Sequence, residues 1–190
     1  GWHPADLLAE VLKALAERNN LDPAMVDDVI TGCVMQVGNQ SVNVGRNAVL
    51  AAGWPETVPA TTIDRQCGSS QQSVHFGAQG VIAGAYDIVV AAGVEVMSTT
   101  PMGASVTPGS FPFGPQAVAR YADVEHYGYK GLIPQGVSAE VIADKWGLTR
   151  EDLDAFGLRS QQNAARARDE GRFDNELVHV KAKPRDKETG

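Results

Sequence analysis

Hydrophobic side chains recur at helical spacing over residues 4–16, where Leu7, Leu8, Val11, Leu12 and Leu15 form one stripe behind Pro4 in the first turn. Asn19, Asn20 and Pro23 end that stripe. Residues 26–36 carry Val29, Ile30, Cys33 and Val34 and read as a mostly buried strand. A short helix is predicted over 46–52, closed by Gly53, and a β-branched strand over 58–64. The next helix spans 70–83, with Val74, Ala78, Val81 and Ile82 expected to face inward and Gly84 as its stop. Residues 87–94 are continuously apolar after Asp87, the pattern of a strand covered on both faces. Strands alternating with helices at this spacing predict a layered α/β domain on a largely parallel sheet.

The character of the chain changes after Glu95. Residues 98–137 hold Pro101, Pro108, Pro112, Pro115 and Pro134 and no sustained period, which marks a functional loop or an insertion. Helices are predicted over 138–146 and 150–170, separated by Gly147 and closed by Gly171, the second with Thr149 and Asp152 at capping-box spacing. Residues 176–182 read as a strand, and 185–190 as a polar tail. The chain shows no internal repeat. The organisation expected is therefore an α/β core over 1–97 followed by a mainly helical and irregular insertion over 98–190.

Composition narrows the class. With 43% hydrophobic and 21% charged residues the chain can bury a core, which excludes global disorder. Its 20 glycines in 190 residues exceed the roughly 7% of average usage and imply tight turns and close backbone approaches. The net charge of −7 argues against nucleic acid and anionic membranes as partners. The sequence contains no apolar run of membrane-spanning length and no secretory signal. Two cysteines without metal-ligand spacing predict neither a disulfide framework nor a metal site, and fit a reducing, cytoplasmic compartment. Charge is uneven: residues 1–144 hold 6 basic and 14 acidic side chains, and residues 145–190 hold 10 and 9. The back quarter is thus the place to expect an anionic ligand, with Arg159, Arg166 and Arg168 on its long helix as candidate phosphate contacts; a solvated helix face is the plainer reading.

Candidate chemistry concentrates at residues 61–81. Cys67 lies between a strand and a helix and is followed by Gly68, Ser69 and Ser70. A helix N-terminus stabilises a thiolate through its unpaired N–H groups and dipole, and the same amides can hold an oxyanion. Ser69 or Ser70 is the expected N-cap. A cysteine is also a common small buried hydrophobe, so local physics alone leaves both readings open. Cys33, in mid-strand, reads as core. His75 lies too far along the helix to serve Cys67 as a base, and His126 and His179 read as surface or packing residues. Glu95, at the end of a buried strand, is expected to be a structural hydrogen-bonder near the site rather than a general base.

The strings Thr61-Thr62-Ile63-Asp64-Arg65, Gln66-Cys67-Gly68-Ser69-Ser70 and D-I-V-V-A-A-G-V-E-V-M-S (87–98) resemble the N-terminal half of a thiolase. The likeness extends forward to G-C-V-M-Q-V-G from Gly32 and Asn43-x-x-Arg46, and back through 136–167 to G-R-F-D-N-E-L-V from Gly171. It preserves order over nearly the whole chain. Asp64, Gln71 and Gln135 depart from the commoner residues at their places. The resemblance implies a thiolase-like layered fold lacking its first strand, and a loop domain from about Ser98 that covers coenzyme A and is incomplete at its C-terminal end. It implies acyl-CoA:acetyl-CoA C-acyltransfer through an acyl-Cys67 thioester, with CoA and acyl-CoA as substrates and no permanently bound cofactor. It also implies a homodimer or homotetramer. A β-ketoacyl synthase and a non-catalytic protein that binds CoA esters are the competing readings; Gly93-Val94-Glu95-Val96-Met97-Ser98 favours thiolase. The further thiolase motifs, a G-H-P histidine, an Asn-Glu-Ala segment and a second cysteine in C-x-G-G-G, do not occur in these 190 residues.

Overall fold

The structure, a computed structural model, describes residues 1–182, so the polar tail at 185–190 lies outside the described residues. Two compact units divide the chain: Gly1–Thr107 with the stretch from Val178, and Pro108–Leu177.

The first unit opens with α1 (Pro4–Arg18), started by Pro4 at the first helical position and by the His3 side chain, which accepts from the Ala5 N–H at 3.3 Å. Its inner stripe is Ala5, Leu8, Ala9, Leu12 and Ala16, while Val11 and Leu15 are only partly covered. Leu8 and Leu12 are each almost fully buried, worth roughly 1.5–3 kcal/mol apiece in apolar area removed from water. Strand β1 (Asp28–Gly32) is the centre of a three-stranded parallel sheet. It is shorter than the 26–36 run predicted. On one side it pairs with β2 (Ala60–Ile63), setting Val29 opposite Ala60 and Gly32 opposite Ile63. On the other it pairs with β3 (Val89–Gly93), setting Val29 opposite Val90 and Gly32 opposite Gly93.

Side-chain alternation divides the sheet into two faces. Val29, Cys33 and Val90 turn toward α1 and α2 (Val44–Ala51), where they share a core with Leu8, Leu12, Val44, Val49, Trp54 and Val58. Asn43 caps α2 from the left-handed region, accepting from the Arg46 N–H and the Thr62 hydroxyl and donating to the Ala60 carbonyl, so one residue pins helix to strand. The opposite face carries α3 (Ser69–Ile82).

This helix packs differently from the reading of its sequence. Ser69, Ser73 and Gly77 are its buried residues, whereas Val74, Val81 and Ile82 are exposed and, with Ala78, Val89 and Ala91, line an open groove of about 440 Å³. The reason is steric. A Cβ on Gly77 would come within 3.3 Å of Val89, and β1 and β3 end in glycines directly under the first turn of α3, so only small residues fit between helix and sheet. Nor is β3 covered on both faces: Val90 is buried, but Ala91 and Gly93 are exposed.

Entry into β3 is held by Asp27, whose Oδ2 accepts the N–H groups of Asp87 at 2.7 Å and Ile88 at 2.9 Å. The Ile88 and then the Asp87 N–H hold this carboxyl below its ordinary range. A depressed folded pKa means the stabilisation is complete above the unfolded value and is lost as pH falls through the folded one. Asp27→Asn is therefore expected to lower the urea midpoint at neutral pH. The gap to wild type should close as the pH of the melts is lowered, and a constant gap would contradict the assignment.

The second unit is helical with one small hairpin. Helix α4 (Pro115–Arg120) and the antiparallel pair β4 (Glu125–His126) and β5 (Tyr129–Lys130) occupy part of the stretch expected to be irregular, and Tyr127 and Gly128 make the turn at positive φ. Helix α5 (Gln135–Trp146) starts three residues earlier than predicted, behind Pro134, and stops at Gly147 with φ 62°. Helix α6 (Arg150–Asp169) carries the predicted capping box, with the Asp152 N–H donating to Thr149 Oγ1 at 3.2 Å and the Thr149 N–H to Asp152 Oδ2 at 2.9 Å. The strand predicted over 176–182 does not form; that stretch has no ladder partner among the described residues. No helix among the described residues is long and apolar enough to cross a membrane.

Candidate active site

Parallel strands deliver their carboxyl ends to one edge of the sheet, and there Gly32, Ile63 and Gly93 stand level in register. The turn from β2 into α3 crosses this edge and carries Cys67, an exposed free thiol with φ 58°. A non-glycine residue in the left-handed region costs on the order of 1 kcal/mol, so the turn must be held. The Gly68 N–H donates to the Arg65 carbonyl at 2.6 Å. Ser69 Oγ accepts from the Arg65 N–H at 3.1 Å and donates to the Arg65 carbonyl at 3.3 Å. The N-cap is Gly68 rather than a serine: Ser69 is spent on clasping the turn, and no side chain caps α3. Ser69 and Ser70 of the first turn of α3 line the space beside Cys67, where a helix N-terminus offers N–H groups.

That space is a cleft of about 360 Å³. Cys67, Ser70 and Gln71 form one wall, and Gly32, Gly93 and Glu95 contribute to the other. The glycines exist for room. A Cβ on Gly32 would lie 2.4 Å from the Ser70 nitrogen, and one on Gly93 1.7 Å from Ser70 Oγ. Glu95 is exposed rather than buried, and its Oε1 accepts the Met35 N–H at 2.9 Å. The hydrogen-bonding role expected for it is present, although the burial that motivated the expectation is not.

Cys33 is buried where Cys67 is exposed. It is 1% exposed, and burial, then the nearby carboxylates of Glu95 and Asp64, pushes its thiol up to about 11. At neutral pH it stays protonated and inert. His75, six residues into α3, stands about 9 Å along the axis from the helix start and is exposed outside the cleft. His126 and His179 are exposed.

The three arginines lie on α6, in the other unit, and are exposed. Arg159 sits 5.2 Å from the Phe156 ring centroid, Arg166 donates to Asn163 Oδ1 at 3.0 Å, and Arg168 pairs with Asp169 at 2.8 Å. At 3.6 residues per turn Arg159 and Arg166 share a face, and Arg168 projects from the opposite one.

Sequence reading missed Gln40. It is fully buried, and its amide ties together the two segments that leave β1 and β3 toward the cleft. A glutamine in a glycine-rich connection gives no periodic signal, and only the tertiary contacts expose it.

The family model for the thiolase N-terminal domain matches residues 2–189. The steroid 3-ketoacyl-CoA thiolase FadA6 of Mycobacterium tuberculosis is 43% identical over 187 residues, 95% of this chain and 44% of the relative. A 3-ketoacyl-CoA thiolase of Chromohalobacter salexigens is also 43% identical, over 92% of this chain and 42% of its own length. The peroxisomal 3-ketoacyl-CoA thiolase 2 of Arabidopsis thaliana is 40% identical over 99% of this chain and 38% of its own. The chain thus spans about two fifths of the curated relatives it matches. A cysteine held at the head of a helix over a glycine-floored cleft, in a sequence matched from end to end, makes the chain a member of the thiolase family, within its N-terminal domain.

Proposed function

We propose that this chain supplies the acyl-accepting half of a 3-ketoacyl-CoA thiolase, with Cys67 as nucleophile. The observation that carries the reading is the exposed Cys67 thiol in its clasped left-handed turn, lining a cleft at the N-terminus of α3, whose N-cap Gly68 makes no side-chain capping bond. In the forward direction the thiolate attacks the 3-keto carbon of a 3-ketoacyl-CoA, and the carbonyl electrons move to an oxyanion held by backbone N–H groups. Collapse of that intermediate breaks the Cα–Cβ bond. The bonding pair goes to the acetyl-CoA enolate, which takes up a proton, and the acyl group stays on Cys67 as a thioester. The thiol of free CoA, giving up its proton, then attacks the thioester and releases acyl-CoA and the Cys67 thiolate. The reverse sequence is a Claisen condensation.

For CoA, Arg159 and Arg166 are the phosphate contacts we favour, because they share a face of α6; Arg168 lies on the opposite face and is paired with Asp169. The names of the relatives support a 3-ketoacyl-CoA substrate, and FadA6 adds a steroid acyl group as one candidate. Two free thiols suit a reducing compartment, for which we take the cytoplasm. Assembly as a homodimer or homotetramer is part of the same reading, to be read by light scattering.

The test is mass mapping after exposure to acetoacetyl-CoA and, separately, to iodoacetamide. The expected result is an acetyl adduct and rapid alkylation at Cys67, with Cys33 unmodified. Alkylation without any acyl adduct would reduce the protein to a CoA-ester binder, and preferential labelling of Cys33 would remove the nucleophile assignment.

A further inference from the structure

Gln40 is a polar side chain with no exposure at all, in the single 3₁₀ turn Gly38–Gln40 between β1 and α2. A buried amide is costly unless every group on it is paired. Here each one is. Nε2 donates to the Met35 carbonyl at 2.8 Å and reaches Cys33 Sγ at 3.5 Å, and Oε1 accepts the Val96 N–H at 2.6 Å. The same Met35 peptide segment is held from the other side, its N–H donating to Glu95 Oε1. One amide therefore bridges the exit of β1 (Cys33 to Met35) and the exit of β3 (Val96). Val34, Val94 and Glu95 from these two exits form the cleft wall that faces Cys67.

We infer that Gln40 is a positioning residue for acyl transfer at Cys67: it fixes the spacing of the two strand exits that an acyl group must lie against. It touches no reacting atom. It acts by needing both a donor and an acceptor at one buried point, because two backbone groups of opposite polarity are offered there, the Met35 carbonyl and the Val96 N–H. This rests on the thiolase reading of the cleft. The functional consequence is chemical as well as steric. Only a side chain with a donor and an acceptor on one planar end satisfies both strand exits at once.

That requirement gives a test that a merely space-filling role would not pass. In Gln40→Glu the ionised carboxylate still accepts the Val96 N–H but meets the Met35 carbonyl with a second acceptor. The protonated acid restores the pattern, its hydroxyl donating to Met35 and its carbonyl oxygen accepting from Val96. Burial raises a carboxyl pKa, so protonation falls within a workable pH range. The titratable groups beside this point are Cys33 and Glu95, present in both proteins, and the wild-type profile serves as their control. The measurement is the rate of Cys67 acetylation by acetyl-CoA, read by mass spectrometry across pH, on folded protein checked by thermal melting. About a tenfold or larger loss is expected for Gln40→Glu at high pH, on the scale by which sub-ångström to ångström misplacement slows a reaction. The ratio to wild type should recover as pH falls. Gln40→Met, uncharged and similar in volume, should be slow at every pH, and it decides the matter if Gln40→Glu does not fold at high pH. Folded Gln40→Met reacting at the wild-type rate, or folded Gln40→Glu equally slow at all pH, overturns the inference. Wild type that alkylates at Cys67 yet never acetylates overturns the thiolase reading and this inference with it.

Discussion

Gly32→Ala is expected to slow acylation of Cys67 by about a hundredfold, the loss that follows a displacement of roughly 1 Å at a reacting group. The new methyl would sit 2.4 Å from the Ser70 nitrogen and 2.5 Å from the Ser69 carbonyl carbon. Both are backbone atoms of the first turn of α3, so no side-chain rotation relieves the clash. Either the helix start lifts off the sheet or β1 bends, and overpacking of this kind costs about 1–3 kcal/mol. The turn that holds Cys67 is clasped to this same first turn through Ser69 and Arg65, so the displacement is passed to the thiol. Gly93→Ala should be milder, because its closest obstacle is Ser70 Oγ, the end of a side chain. Gly157→Ala is the control: nothing lies within 4 Å of its added methyl, it sits inside α6, and alanine there should stabilise by about 0.5–1 kcal/mol without changing Cys67. Melting temperature and the acetylation rate of each variant decide the issue. Gly32→Ala with a wild-type rate would mean that the first turn of α3 does not position the thiol.

The alternation of strands and helices, and the glycines that end α2, α3, α5 and α6, were legible because hydrophobic period and backbone sterics are local. So was Cys67, since the string around it places a thiol between a strand and a helix whatever the rest of the chain does. What the sequence concealed is a matter of which helix face meets the sheet. Val74, Ala78, Val81 and Ile82 make the more apolar stripe of α3, yet the stripe that docks is Ser69, Ser73 and Gly77. Periodicity records that a face is apolar and does not say how closely a neighbour approaches. The deciding facts were Gly32 and Gly93, two residues sixty-one positions apart that come level only through the β1–β3 register. Gln40 is invisible for the same reason: its partners Met35 and Val96 lie on different strand exits. Glu95 shows the opposite case, a right role reached from a wrong premise, because a carboxylate beside a strand end finds a backbone N–H whether or not it is buried.

The 190-residue chain by itself is expected to acylate once at Cys67 and not to turn over. Thiolysis moves a proton twice, onto the α-carbon of departing acetyl-CoA and off the thiol of incoming CoA, and each transfer needs a group within hydrogen-bond reach. The ionisable side chains lining the cleft are Cys67 and Glu95. Glu95 is occupied by the Met35 N–H through Oε1, and converting it to a base would leave it serving a backbone tether and a substrate at once. His75 stands outside the cleft along α3, and Cys33, with its thiol near 11, is sealed in the core. Acylation can still occur once, because the departing acetyl-CoA enolate can take its proton from water at the exposed Cys67, whereas CoA must give up its proton to attack the thioester and no cleft side chain is free to receive it. Stopped-flow thiolysis of acetoacetyl-CoA with added CoA separates the two phases. The expected trace is a burst of no more than one equivalent per Cys67 followed by a flat line, and Cys67→Ser should abolish the burst. A sustained linear phase would place a working acid/base among the residues of this chain, with Glu95 the first to test by Glu95→Gln.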